Sequence, residues 1–258
     1  MNQRPIGIFD SGVGGLTVLA EIKKRLPNEN IVYLGDTANF PYGDKTQEDI
    51  IKFSIENVKR LINENVKVIV IACGTATSQA LDILNATFEI PIIGIINPTV
   101  QYLKDRNIKK LGVIATEGTI NSGAWERALK NEISNIQVIN KACPMLATIA
   151  EEGRALSEEG RKVIKEYMKP FKENHIDKII LGCTHYPIYE KLIRKELEYD
   201  VELINTGTTV ATLLEKMLAR ENIQNSTKKD TEIVYLTKPE PYFKNIAKNI
   251  LNFEIKIK

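Results

Sequence analysis

Runs of β-branched residues alternate with longer amphipathic segments along this chain of 258 residues. Two of the runs, VKVIVIA from Val66 and IPIIGII from Ile90, are apolar on both faces of the strand that each would form. Strands of this kind occur in parallel sheets that are covered by helices on both sides. The alternation therefore predicts an α/β fold built from doubly wound parallel sheets.

Ten runs are predicted to form strands: Pro5–Phe9, Ile31–Gly35, Val66–Ala72, Pro91–Ile95, Lys110–Ala115, Asn135–Asn140, Asp177–Leu181, Asp200–Ile204, Glu232–Leu236 and Phe253–Ile257. Four further segments are predicted to form helices: Thr46–Glu64, Gly153–Asn174, Gly207–Asn222 and Pro241–Leu251. In the first of these helices, Ile50, Phe53 and Leu61 recur at nearly helical spacing, so one face would pack on a sheet.

The chain repeats three of its segments in the same order, 105 to 110 residues apart. The pairs are PIGIFDSGVGGL with KLGVIATEGTI, VIVIACGTATS with KIILGCTHYP, and GIINPTV with ELINTGTTV. We therefore predict two pseudo-symmetric lobes, with residues 1–97 and 207–258 in the first and residues 98–206 in the second. A polar linker at Asn225–Asp230 would lead the last strand and helix back to the first lobe.

Polar clusters directly follow several predicted strands, which is where ligands bind in an open parallel sheet. The first lobe has Asp10–Gly12 and Cys73–Thr75 in such positions, and the second lobe has Thr116–Thr119 and Cys183–His185. If the two lobes face each other, these strand ends line one cleft. Two cysteines would then approach a single ligand from opposite walls, and the sequence predicts an active site between the lobes.

Two thiols on opposite faces of one carbon suit racemisation, because one group removes the α-proton and the other returns a proton to the far face. A free thiol titrates at about pH 8.5, so both its forms are accessible in a cell. A helix that begins just after each cysteine would favour the thiolate. Asp10 and His185 could tune or relay these protons. Carboxylates of a ligand could be held by Ser11, Thr75, Thr116, Thr119 and Thr184.

Charge and cysteine usage exclude several other classes of protein. The 35 basic and 33 acidic residues leave a net charge of +2, so we predict neither a nucleic-acid partner nor a membrane partner. The three cysteines are too few for a disulfide framework and indicate a reducing compartment. The sequence shows no export signal, and no apolar run approaches the length of ~20 residues that a membrane helix needs. We therefore expect a cytoplasmic protein.

Cofactor sites are poorly supported, and we predict neither a cofactor nor a metal. Cys73, Cys183 and His185 could bind zinc, but their spacing matches no usual ligand pattern. The loop SGVGGL lacks the third glycine of the dinucleotide fingerprint, since Thr17 stands there. Its glycines instead favour a tight turn from strand to helix. Cys143 is expected to lie in the core.

Beyond these patterns, the chain resembles the bacterial glutamate racemases of the aspartate/glutamate racemase superfamily. The matching stretches are IGIFDSGVGGLTVL from Ile6, LGDTANFPYG from Leu34, VIVIACGTATS from Val68, GVIATEGTI from Gly112, ACPMLATIAEEG from Ala142 and LGCTHYP from Leu181. The resemblance covers essentially the whole chain. It implies two α/β lobes with the active site between them, and interconversion of L- and D-glutamate without pyridoxal phosphate or metal. It also implies that D-glutamate is supplied for peptidoglycan synthesis in the cytoplasm.

The resemblance assigns roles to residues. Cys73, assisted by Asp10, would exchange the α-proton of D-glutamate, and Cys183, assisted by His185, that of L-glutamate. The implied substrate contacts are Asp10, Ser11, Tyr42, Gly43, Gly74, Thr75, Thr116, Thr119, Thr184 and His185. Two positions depart from the family pattern. The family usually has Asn where this chain has Gly74, and often has an acidic residue where it has Asn97.

The residues alone leave three alternatives open. An aspartate racemase, or another superfamily member, would use the same acid–base groups in a pocket of different depth. A non-catalytic module would bind a dicarboxylate or a protein partner without turnover. A flavodoxin-like redox carrier would bind flavin and be yellow.

A homodimer is the expected assembly only because such dimers are common.

Overall fold

The computed structural model of the protein describes residues 3–227 and 232–258. Ten strands lie within these residues: β1 (Ile6–Asp10), β2 (Ile31–Gly35), β3 (Val68–Ile71), β4 (Ile92–Ile93), β5 (Lys110–Ala115), β6 (Gln137–Ala142), β7 (Lys178–Leu181), β8 (Glu202–Asn205), β9 (Glu232–Leu236) and β10 (Ile255–Ile257). All ten strand predictions are confirmed, with ends that shift by at most two residues.

Helices connect the strands and cover the sheets. They are α1 (Leu16–Arg25), α2 (Gln47–Asn63), α3 (Gly74–Thr87), α4 (Ile96–Leu103), α5 (Glu117–Asn121), α6 (Ala124–Glu132), α7 (Pro144–Glu151), α8 (Glu158–Glu173), α9 (Glu190–Leu197), α10 (Thr206–Arg220) and α11 (Phe243–Ile250). Two 3₁₀ turns, Tyr42–Asp44 and Tyr186–Tyr189, lie beside the strand ends. Within the described residues, no helix is both long and apolar enough to cross a membrane.

The strands form two parallel sheets with the same internal order. The first sheet runs β10-β9-β2-β1-β3-β4, and the second runs β6-β5-β7-β8. The order β2-β1-β3-β4 therefore recurs as β6-β5-β7-β8, which confirms the predicted pair of related α/β lobes. The strands β9 and β10 extend the first sheet beyond β2. The lobe boundaries at residues 97, 98, 206 and 207 stay predictions.

Local capping explains where two of the predicted helices begin. Thr46 precedes α2, and its side chain accepts a hydrogen bond from the Asp49 N–H, as expected of a helix cap. The predicted helix from Gly153 begins five residues later, because Ser157 caps α8 and accepts a bond from Gly160. Gly153 itself has a φ of +69°, which suits the turn that precedes this cap.

The interior of the two lobes is continuous. One apolar cluster includes Ile8 of the first sheet together with Val113 and Trp125 of the second lobe. Helix α10 packs against α1 and α4, and α4 also packs against α6. Between α4 and α10, the buried hydroxyls of Thr99 and Thr209 share a hydrogen bond of 2.7 Å. These contacts hold the two sheets in a fixed relation behind the site.

Two buried ion pairs lie where the last part of the chain packs against the first lobe. Lys67 contacts Glu29 at 2.6 Å, with side-chain exposures of 0% and 2%, and Lys23 contacts Glu232 at 2.6 Å. Lys67 also donates to the Ile223 carbonyl, and the Asn225 N–H donates to Glu29. Asn225 of the predicted polar linker is therefore a buried anchor. Lys228–Asp230 lie outside the described residues.

The Lys67–Glu29 pair gives a stability prediction. Replacing Lys67 with Met should lower the free energy of unfolding by about 3–5 kcal/mol, because it leaves the Glu29 carboxylate buried without its cation. The matched control is Lys59→Met, which removes an exposed partner of Glu56 and should change the same quantity by less than about 0.5 kcal/mol. Urea unfolding measures both. Equal effects of the two substitutions would contradict this account of the buried pair.

Candidate active site between the two sheets

The first lobe places Asp10, Ser11 and Cys73 at neighbouring strand ends. Asp10 is the last residue of β1, and Cys73 follows β3 and caps α3. The Cys73 sulfur accepts a hydrogen bond of 3.4 Å from the Ala76 N–H, and its thiol donates to the Ser11 hydroxyl at 3.6 Å. Only 5% of Cys73 is exposed. The first thiol is therefore enclosed and has hydrogen-bond partners within its own lobe.

The environment of Cys73 favours the protonated thiol. Burial raises the pKa of Cys73 to about 12, and the nearby Asp10 charge acts in the same direction. The Ala76 N–H and the Ser11 hydroxyl oppose this shift without cancelling it. The sequence predicted that the start of a helix would favour the thiolate of Cys73. The helix does begin at Gly74 and its Ala76 N–H does lower the pKa, but burial beside a carboxyl outweighs this contribution.

The second lobe pairs Cys183 with a histidine. The Cys183 sulfur lies 3.6 Å from Nδ1 of His185, and Nε2 of His185 lies 2.7 Å from Oε1 of Glu151. These three side chains form a continuous chain of buried polar contacts. No α-helix begins directly after Cys183, since the 3₁₀ turn starts at Tyr186 and α9 only at Glu190. The helix start expected after Cys183 is therefore wrong, and the group beside its sulfur is the His185 imidazole.

His185 is held as a cation by its neighbours. Burial alone lowers the pKa of His185, but its hydrogen bonds and charge interactions with Cys183 and Glu151 raise that pKa well above its ordinary value. The two walls thus differ, since Cys73 lies beside the Asp10 carboxyl and Cys183 lies beside the His185 imidazole.

Glu151 is a site residue that the sequence analysis missed. It ends α7 and lies on the buried side of that helix, one turn after the buried Ala147. An acidic residue in line with an apolar helix face was the available signal, because such a charge requires a buried partner. Its Oε1 also accepts the Val13 N–H of the first lobe at 2.8 Å.

Hydroxyl groups join the two walls across the cleft. Thr184 donates to Oδ2 of Asp10 at 3.2 Å, and burial raises the pKa of that carboxyl. The hydroxyls of Thr75 and Thr116 lie 2.8 Å apart, as do those of Thr116 and Thr119. This threonine cluster lies at the first turns of α3 and α5, where free N–H groups attract anions.

Tyr42, Gly43 and Gly74 lie at the edge of this arrangement. The Tyr42 hydroxyl donates to Asp36 at 2.6 Å and accepts from Asn57, so it is bonded within the first lobe. A side chain at Gly43 would begin 3.1 Å from the Cβ of Thr116. A side chain at Gly74 would overlap the backbone oxygen of Gly182. Gly74 therefore lets the two lobes meet backbone against backbone.

A cavity of about 300 Å³ opens at the mouth of the cleft. Its wall includes Gly43 from the first lobe and Thr116, Met145 and Arg154 from the second. Of the threonine cluster, Thr116 lines this cavity, whereas Cys73 and Cys183 do not. Among the described residues, no group of three or more His, Cys, Asp or Glu side chains is placed to hold a metal ion.

Two facing α/β sheets, each with a buried thiol after its third strand, define a protein suited to acid–base chemistry on a small ligand. Residues 9–214 match the Asp/Glu/hydantoin racemase family, and the chain belongs to that family of isomerases.

The chain is similar to proteins named glutamate racemase. One from Lysinibacillus sphaericus is 41% identical over 249 residues, which are 96% of this chain and 94% of that protein. The crystal structure of an isoform from Bacillus anthracis has a TM-score of 0.94 at 36% identity, with 100% of this chain and 97% of that chain covered. The structure from Francisella tularensis, in complex with D-glutamate, has a TM-score of 0.92 at 37% identity and the same coverage. These findings confirm the resemblance that the sequence motifs indicated.

The His185–Glu151 contact predicts a measurable titration. Glu151→Gln should lower the pKa of His185, because it removes the negative charge that favours the imidazolium. NMR of the imidazole Cε1–H signals against pH measures this pKa. The chain has only two histidines, and the signal of the exposed His175 should be the same in both proteins. An unchanged His185 titration in the variant would contradict the pairing.

Proposed function

We propose that the protein racemises glutamate without a cofactor, with Cys73 and Cys183 as the two acid–base groups. The observation that carries this proposal is the matched placement of the two thiols. Each follows the third strand of its lobe, and the two lie close enough for the charge of one to raise the pKa of the other. Asp10 lies beside Cys73 and His185 lies beside Cys183, so each thiol has its own acid–base neighbour, as a two-base reaction needs.

Glutamate as the substrate is supported by the similar proteins and by the polar lining of the cleft. The relatives described above carry the name glutamate racemase, and one was crystallised with D-glutamate. The threonine cluster at the starts of α3 and α5 offers hydroxyl and N–H donors to carboxylates. The substrate contacts inferred from the motifs remain part of this proposal: Asp10, Ser11, Tyr42, Gly43, Gly74, Thr75, Thr116, Thr119, Thr184 and His185.

The conversion of L-glutamate begins at the second wall. The Cys183 thiolate, beside His185, takes the α-proton, and in a second step the Cys73 thiol gives its proton to the opposite face of the carbon. Cys73 is then a thiolate and Cys183 a thiol, which is the state that D-glutamate requires for the reverse reaction. Asp10 lies beside Cys73 and His185 beside Cys183, so each thiol has its own ionisable neighbour.

The cellular role follows from the family and not from the site itself. We propose that the protein supplies D-glutamate for peptidoglycan synthesis in the cytoplasm. The two-lobe division at residues 97, 98, 206 and 207 and a homodimeric assembly belong to the same proposal.

The proposal predicts the behaviour of cysteine variants. Cys73→Ala and Cys183→Ala should each abolish racemisation, because each removes the only proton donor or acceptor on one face of the substrate. Cys143→Ala is the matched control. Cys143 is a fully buried core thiol, as predicted, and its loss should leave turnover close to wild type. Chiral chromatography of glutamate incubated with each protein measures the product.

Substrate choice is tested in the same assay with aspartate in place of glutamate. Turnover of aspartate alone would contradict the glutamate assignment and favour an aspartate racemase. Binding of either dicarboxylate by the wild type without turnover would favour the non-catalytic module. Retention of racemisation by either Cys73→Ala or Cys183→Ala would contradict the two-thiol mechanism.

A further inference from the structure

The turn between β1 and α1 contacts the catalytic groups of the opposite lobe. This turn carries Gly12, Val13 and Gly14 directly against residues of the second lobe. A side chain at Gly12 would overlap the Glu151 carboxylate, and one at Gly14 would begin 2.5 Å from the His185 ring. Because both residues are glycines, the backbone of the turn lies directly against the His185–Glu151 pair.

Two hydrogen bonds connect this part of the first lobe with the second lobe. The Val13 N–H donates to Glu151 at 2.8 Å, and the Thr17 hydroxyl donates to the Thr184 carbonyl at 2.8 Å. The Thr184 carbonyl belongs to the peptide that leads directly into His185. Thr17 therefore fixes the backbone on one side of the imidazole, while Val13 fixes the carboxylate on the other side.

We propose that Thr17 is a positioning residue for the Cys183 half of the reaction. The contact between His185 Nδ1 and the Cys183 sulfur is 3.6 Å, an ordinary length for a hydrogen bond to sulfur. A rotation of the Thr184–His185 peptide would weaken it, because hydrogen bonds weaken steeply with distance and angle. The Thr17 hydroxyl opposes that rotation from the first lobe, so the pairing of Cys183 with His185 depends on contact between the lobes. This inference rests on the proposed function.

The Thr17 hydroxyl has a second acceptor within its own turn. The Gly14 carbonyl lies 3.0 Å from it, close to the 2.8 Å of the Thr184 carbonyl. A hydroxyl has one proton, so it can donate fully to only one of the two. The shorter distance favours the Thr184 carbonyl, and the Gly14 carbonyl is the alternative acceptor within the turn.

The test compares three variants. Thr17→Val removes the hydroxyl at nearly constant volume, and Thr17→Ser retains it. Thr212→Val is the matched control, because the Thr212 hydroxyl donates to the Thr208 carbonyl of its own helix, away from the cleft. Racemisation is measured from both enantiomers, with α-protonated and α-deuterated glutamate. Thermal unfolding shows whether each variant is folded.

Thr17→Val should lower kcat/KM by about three- to tenfold, as expected for the loss of one neutral hydrogen bond. Because the enantiomers are equally stable, kcat/KM must fall by the same factor in both directions. The primary isotope effects on kcat/KM should diverge in Thr17→Val. The effect should be larger than in wild type with L-glutamate, whose proton goes to Cys183. It should be smaller than in wild type with D-glutamate, whose proton goes to Cys73. Thr17→Ser should restore wild-type values, and Thr212→Val should not alter them.

Three results would overturn the inference in distinguishable ways. Unchanged rates in Thr17→Val would show that the hydroxyl is not needed. Lower rates with unchanged isotope effects would show a general structural role. A wild-type protein that does not racemise glutamate would remove the proposed function itself, and this positioning role with it.

Discussion

The contact between Glu151 and His185 is the interaction on which the rest of the site depends. Both side chains are buried, so each needs a partner of the opposite charge. The carboxylate also accepts the Val13 N–H from the other lobe, so one oxygen serves both an intralobe and an interlobe contact. Through His185 this pair sets the charge next to Cys183, and through Val13 it joins the two sheets.

The two thiols have different ionisable neighbours. Burial of Cys73 disfavours its thiolate, because a charge loses its hydration there. On the first wall the neighbour is the Asp10 carboxyl, which adds to that effect and keeps Cys73 protonated. On the second wall the neighbour of Cys183 is the His185 imidazole, whose pKa is raised well above its ordinary value. A pseudo-symmetric fold thus gives its two thiols different neighbours.

Much of this arrangement could be predicted from the sequence. Apolar strands and three segments that each occur twice indicated two parallel sheets. The matched positions of Cys73 and Cys183 in one pair of these segments indicated one cleft. Glu151 could not be found by the same reasoning, because it ends a helix far from any strand terminus in the sequence. The sign of the Cys73 shift was also beyond prediction, since it depends on burial and on the distance to Asp10. Such quantities arise only when distant segments pack together.

The central claim is that two different thiols serve the two faces of the substrate. The most direct measurement follows wild-type turnover of L-glutamate in D₂O at low conversion, with mass spectrometry of both enantiomers. The two-thiol account predicts that the D-glutamate formed carries deuterium, because Cys73 delivers a solvent-derived proton. It also predicts that the remaining L-glutamate stays largely protiated. A product that retains the original α-proton would show that one group serves both faces, and would contradict the account.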